Sequence, residues 1–169
     1  MRAVADEGGW SVGVVQHYFR SKSQLLAAAV DYLAERTSTA LRESEGALTA
    51  LDRLTHLLSE IIPQPGSSQA SYWRVWVCFW AQATNDPLLA KAVEDEARSW
   101  RERLADTLRA GQADGSMRPD FSPEEEAAVL AAFIDGLGVT SAVDSEVPML
   151  HGTVERLVNP LRKDATSAK

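Results

Sequence analysis

At 169 residues, with 45% hydrophobic and 24% charged side chains, the chain has the make-up of a globular protein with a real core. Its one cysteine, Cys78, excludes an intramolecular disulfide and fits a reducing, cytoplasmic setting. No apolar run approaches the ~20 residues of a membrane helix, the N-terminus has no signal-peptide layout, and no membrane partner is expected. The net charge of −7 is unevenly placed: residues 1–30 hold Arg2, Arg20 and Lys22 against Asp6 and Glu7, a balance of +1 that leaves −8 for the rest. An acidic body with a weakly basic tip permits DNA binding at the tip alone, without demanding it.

Glycine and proline punctuation divides the chain almost entirely into helices, with no strand-like alternation, so the predicted class is all-α. Residues 1–26 read as two short helices around a turn at Gly8-Gly9, followed by a capped start to a long helix. That is the layout of a helix-turn-helix DNA reader. Ser21-Lys22-Ser23-Gln24 has the form of a capping box, and the spacing of Leu25, Leu26, Ala29, Tyr32, Leu33, Arg36 and Ala40 predicts a connecting helix over 21–45. Its length would be roughly 35 Å, enough to link the tip to the body.

The remainder, 46–165, reads as a helical body. Gly46 interrupts the chain, and the next helix carries Leu48, Leu51, Leu54, Leu58 and Ile61 on one face before a loop at Pro63–Ser68. The helix over about 69–84 is apolar nearly all round, which marks it as the enclosed central helix. Asp86-Pro87 predicts an N-cap and first-turn proline for the next helix, with Val93, Ala97, Trp100, Leu104 and Leu108 inward and Glu94 and Arg98 spaced as an ion pair. Ala113–Ser116 turns the chain, and Ser122-Pro123-Glu124-Glu125 starts a helix running to about Val143. A last helix follows Pro148, with Leu150, Val154, Leu157, Val158 and Leu161 on one side, and the polar tail from Lys163 is expected to fray.

A recognition helix must be slim where it enters the major groove and polar toward bases and phosphates. Ser11 can cap such a helix, Val12 and Gly13 are small, and Gln16 suits a bidentate contact with adenine. His17 is polar, Tyr18 and Lys22 can reach phosphates, and Val4, Val15 and Phe19 would hold the two short helices together. On residue types alone, an ordinary helical hairpin with a solvated face reads equally well. In the apolar helix, Trp73, Trp76 and Trp80 share a face, with Tyr72 and Phe79 beside it. Such rings can be core, or can box a cation. Gly136 and Gly138 interrupt a helix at a cost of ~1 kcal/mol each relative to alanine, which a close helix approach would offset. Cys78, His56 and His151 have no companions at metal or nucleophile spacing, and Cys78 reads as a buried filler. No catalytic motif, metal site or cofactor is expected, and an enzyme built on a helical bundle is the distant reading.

The segment Ala5-x-x-x-Gly9-Trp10-Ser11-x-Gly13-x-Val15-Gln16-His17-Tyr18-Phe19-x-Ser21-Lys22-x-x-Leu25-Leu26 resembles the DNA-binding domain of the TetR family of bacterial transcription regulators. Gln-His-Tyr-Phe is similar to the branch that includes the choline-responsive BetI-like repressors. The similarity continues through Trp76-x-x-Phe79-Trp80-x-x-Ala83, Asn85-Asp86-Pro87, Trp100-Arg101, Gly115 and Asp135-Gly136-Leu137. The resemblance implies a ligand-responsive repressor whose partners are double-stranded operator DNA, a small-molecule effector and a second copy of itself. It implies DNA contacts by Ser11, Val12, Gly13, Val14, Gln16, His17, Tyr18 and Lys22, with Val14 standing where the family has a small hydroxyl residue. It makes 46–165 an effector-binding and dimerisation domain, with the effector pocket near Trp73, Trp76, Phe79, Trp80 and Trp100, and a dimer seam at Phe133, Gly136, Leu137, Val154, Leu157 and Val158. The family's first helix has no counterpart before Met1, so the coding sequence is expected to start upstream or the product to be truncated. The alternative reading is therefore a dimeric small-molecule-binding module that no longer binds DNA.

Overall fold

The computed structural model describes residues 1–43, 49–62, 69–144 and 152–163. Gly46, Leu48, the Pro63–Ser68 loop, Pro148, Leu150, His151 and the tail beyond Lys163 lie outside them. The first two helices, α1 (Arg2–Gly8) and α2 (Val12–Tyr18), meet at Gly9, whose φ of 67° belongs to the left-handed region open to glycine. The Trp10 amide donates to the Ala5 carbonyl at 2.8 Å and closes the turn. Ser11 caps α2, its hydroxyl oxygen accepting from the Val14 amide at 3.2 Å. Ala5 and Val15 are buried between the two helices, while Val4, expected inside, is 41% exposed.

Helix α3 (Lys22–Glu43) begins at the expected cap, with the Ser21 hydroxyl accepting from the Gln24 amide at 3.1 Å. The Gln24 side chain reaches back one residue further than a capping box requires and accepts from the Arg20 amide at 2.9 Å. Its apolar side, centred on fully buried Val30, lies against the body.

Helix α4 (Ala50–Ile61) shows how distant parts of the chain are joined. Thr49 accepts from the Asp52 amide at 3.2 Å, whereas the amides of Ala50 and Leu51 donate to Asp114 at 2.8 Å and Ser116 at 3.3 Å. The turn at the far end of α6 thus satisfies donors that an isolated helix start would leave to water.

Helices α5 (Gln69–Ala83) and α6 (Pro87–Asp114) follow, joined at the Asp86 cap, whose carboxylate accepts from Leu88 and Leu89. The structure corrects the choice of central helix. The 28-residue α6 contacts α3, α4, α5 and α7, whereas α5 leaves Arg74, Val75 and Cys78 open on its outer side. Cys78 is accordingly an exposed thiol and not a core filler.

Ser122 caps α7 (Pro123–Val143) by accepting from the Glu125 amide at 3.3 Å. This helix is long and apolar enough to cross a membrane by length and composition, with a mean hydropathy of 1.5, which revises the reading that no such run exists. It packs on α5 and α6 here, yet Val129, Phe133, Val139 and Val143 are exposed. The chain closes with α8 (Thr153–Val158) and a 3-10 turn over Asn159–Leu161, whose Leu161 carbonyl accepts from the Arg118 amide at 2.9 Å.

Candidate effector cavity and DNA-reading helix

A cavity of about 80 Å³ opens between α5, α6 and α7. The i, i+3, i+7 spacing on α5 brings Trp73, Trp76 and Trp80 to its wall with Tyr72, and α6 contributes Trp100. The rings form a continuous surface: Trp73 and Trp76 stand 6.3 and 6.2 Å from Trp80, and Tyr72 meets Trp76 at 6.3 Å. Trp73 is fixed twice. Its indole N–H donates to the Ile61 carbonyl at 3.0 Å, and its ring lies so close to Gly138 that a Cβ there would fall 2.1 Å from it. The absence of a side chain at Gly138 is what admits the ring, which accounts for one of the two glycines of α7.

Four of the five aromatic residues expected at the pocket line it; Phe79 does not. It is buried in the core with its ring edge-on to Trp76 at 5.8 Å, and so supports the wall from behind. Glu96, Arg101 and Asp135 also line the cavity and were not anticipated. The signal for Asp135 was available, since it is the one charged residue between Ala127 and Val143. A charge in such a run needs a partner or a task.

The charges differ in their surroundings. Glu96 is bound by Arg103 at 2.7 Å, with side chains only 15% and 23% exposed. The Arg103 guanidinium also lies over the Trp100 ring at 5.7 Å. Burial pushes the Asp135 carboxyl above its usual range, opposed through space by Arg101.

At the other end of the molecule, Ser11, Gly13, Val14, Gln16, His17, Tyr18 and Lys22 are exposed and Val12 is half-buried, while Val15 turns inward. The candidate DNA contacts therefore share the open side of α2 and the start of α3. A polar link ties this end to the cavity helix: the Ser23 hydroxyl hydrogen-bonds Asp86, holding that carboxyl below its usual range with help from Leu89 and Leu88 amides and nearby Lys22.

The expected dimer seam is only partly available. Val154 and Val158 are buried within their own chain, where α8 packs on α4, so they cannot also face a partner in this arrangement. Leu137 and Leu157 are half-buried. Phe133 and Gly136 are exposed, and a Cβ at Gly136 would meet nothing within 4 Å.

Two short helices at the head of a long helix, joined to a helical body with a cavity of its own, are the layout of a ligand-responsive transcriptional regulator, and the comparisons support that class. Residues 50–159 match the family model of the BetI-type transcriptional repressor, C-terminal. The chain belongs to this family, a branch of the TetR regulators. It is 26% identical over 165 residues to the HTH-type transcriptional regulator BetI of Yersinia pestis, spanning 92% of this chain and 80% of that protein. A transcriptional regulator from Saccharomonospora viridis, solved in complex with choline, is 28% identical with a TM-score of 0.74, covering 91% of this chain and 80% of that one. The fold also matches a TetR regulator from Haloarcula marismortui at a TM-score of 0.78 and 23% identity, over 95% and 86% of the two chains. The matched relatives are transcriptional regulators, in line with the expectation that this chain is not an enzyme.

Proposed function

We propose that this protein binds operator DNA in the cytoplasm as a homodimer, through α2, and leaves it when a small organic cation fills the aromatic cavity. The observation that carries this reading is a cavity walled by four tryptophans and holding an unpaired carboxylate, the chemistry that attracts an ammonium group. The choline held by the Saccharomonospora viridis relative supports the same ligand class. Residues 1–26 act as the DNA-binding domain, α3 as the connector, and the part beyond 46 as the effector and dimer domain.

Coupling follows the α6 helix. Val93, Glu96, Ala97, Trp100 and Arg101 present it to the cavity, and Asp86 at its start holds Ser23 just past the reader. A ligand that shifts α6 biases the angle of α3 and hence the separation of two readers, which must be near one helical turn of DNA, ~34 Å, or a multiple of it. The exposed α7 stripe of Val129, Phe133, Gly136 and Val143 is the dimer face that this reading uses in place of Val154 and Val158.

The test is binding of the 169-residue chain, and of a form extended by any in-frame upstream sequence, to the DNA before its own gene. Expected are a steep loss of affinity with rising salt and release by choline. Choline binding without any DNA binding would favour the small-molecule module; equal choline affinity in free and DNA-bound protein would remove the switch.

A further inference from the structure

The two carboxylates of the cavity are not equivalent. Glu96 is already neutralised by Arg103. Among the described residues nothing donates a hydrogen bond to Asp135, and Arg101 acts on it only through space. Beyond these, the charged lining ends: α5 offers Tyr72 and indole rings, and Ile61 of α4 and Ala131 and Ile134 of α7 are apolar. Indole faces attract a cation but also receive any apolar group of the same size. A half-buried carboxylate without a partner is different, because it is costly when alone and is relieved only by positive charge.

We propose that Asp135 is the specificity-determining residue of the cavity, the counter-ion that selects a cationic effector over an uncharged molecule of the same shape. The inference rests on the reading of this cavity as the effector site and adds the residue that discriminates there. Arg101 sits where it partly offsets the Asp135 charge in the empty cavity, and an ammonium group held by the rings takes over that task. Because burial favours the protonated acid, cation binding and proton binding at Asp135 compete. The cation affinity is full at high pH and falls as pH drops through the raised carboxyl value.

The experiment titrates the whole chain by calorimetry with two probes, choline and its uncharged carbon isostere 3,3-dimethylbutan-1-ol, in wild type and Asp135→Asn. The wild type is expected to prefer choline by about tenfold or more, and the variant to lose most of that margin, keeping only the share the indole faces supply. Asp135→Asn is also expected to melt at a higher temperature, since it removes an unpaired buried charge, whereas a purely structural aspartate would leave the variant less stable. A preserved choline preference in the variant overturns the proposal while leaving the cavity reading intact. Failure of the wild type to bind either probe overturns the cavity reading and this proposal with it. Should Asp135→Asn not fold, the wild type decides: choline affinity must fall as the pH is lowered through the raised Asp135 value while isostere affinity stays level, and parallel behaviour of the two probes refutes the assignment.

Discussion

The reader and the body of this protein are stabilised by different means. Helices α1 and α2 bury two side chains, Ala5 and Val15, and take their shape from the Gly9 turn and the Ser11 cap. Helix α4 alone buries five side chains, and α6 packs against four other helices. Backbone chemistry can set a turn but supplies little of the burial that resists unfolding. A region made this way opens at low cost, while the body unfolds as one cooperative unit. Such a division suits the proposed switch, because the small reader can change position while the body stays folded, and the Ser23–Asp86 hydrogen bond still joins it to the cavity helix.

The largest effect is expected from Leu104→Ala, which empties a fully buried position on α6. Urea denaturation should show a loss of about 2–5 kcal/mol, with every helix of the body melting together. A loss confined to one segment would show that the body is not one unit. Gly138→Ala comes next. Helix propensity alone would gain ~1 kcal/mol, but the added Cβ would collide at 2.1 Å with a ring pinned by its own hydrogen bond. The overpacking cost of about 1–3 kcal/mol should win. Gly136→Ala is the control: with open space in one chain it should gain stability as a monomer and weaken self-association if α7 meets a second copy.

In the reader, Val15→Ala should cost about 1.5 kcal/mol locally. DNA affinity should drop while the calorimetric midpoint of the body stays in place. A midpoint falling as far as that of Leu104→Ala would erase the distinction between the regions. The smallest effect concerns Asp114. The Ser116 hydroxyl, the Ala50 and Ser116 amides and nearby Arg53 hold its carboxyl below the usual range. Its folded value is depressed, so its contribution is present above the ordinary carboxylate range and is lost as pH falls through the depressed value. Asp114→Asn should flatten the acid limb of the stability profile and leave α1 and α2 unaffected.

Helix starts were legible because capping is local. Ser11, Ser21, Asp86-Pro87 and Ser122-Pro123 each announce a start within four residues, and each holds in the structure. The Glu94–Arg98 pair forms at 2.7 Å for the same reason. What depends on the third dimension was harder to read. Composition alone makes α5 look enclosed, yet only packing shows that α6 takes the central place and that Cys78 faces out. Helical spacing put Trp73, Trp76 and Trp80 on one face and the resemblance pointed to a pocket there, but Phe79 shows that a neighbouring face can belong to the core. Asp135, Arg101 and Glu96 meet only when α6 and α7 are brought together, and Val154 and Val158 lose their place in a seam because α8 folds onto α4.

The placement of the five tryptophans makes the protein its own optical reporter. Four indoles line one cavity and the fifth, Trp10, stands 61% exposed beside the reader. On the proposed reading, emission from the cavity group responds to a bound ligand by quenching or a change in wavelength, and Trp10 to DNA laid against the tip. Trp10→Phe separates the two signals. Stopped-flow records on the two proteins would then show in what order the cavity fills and the operator departs, with no added dye.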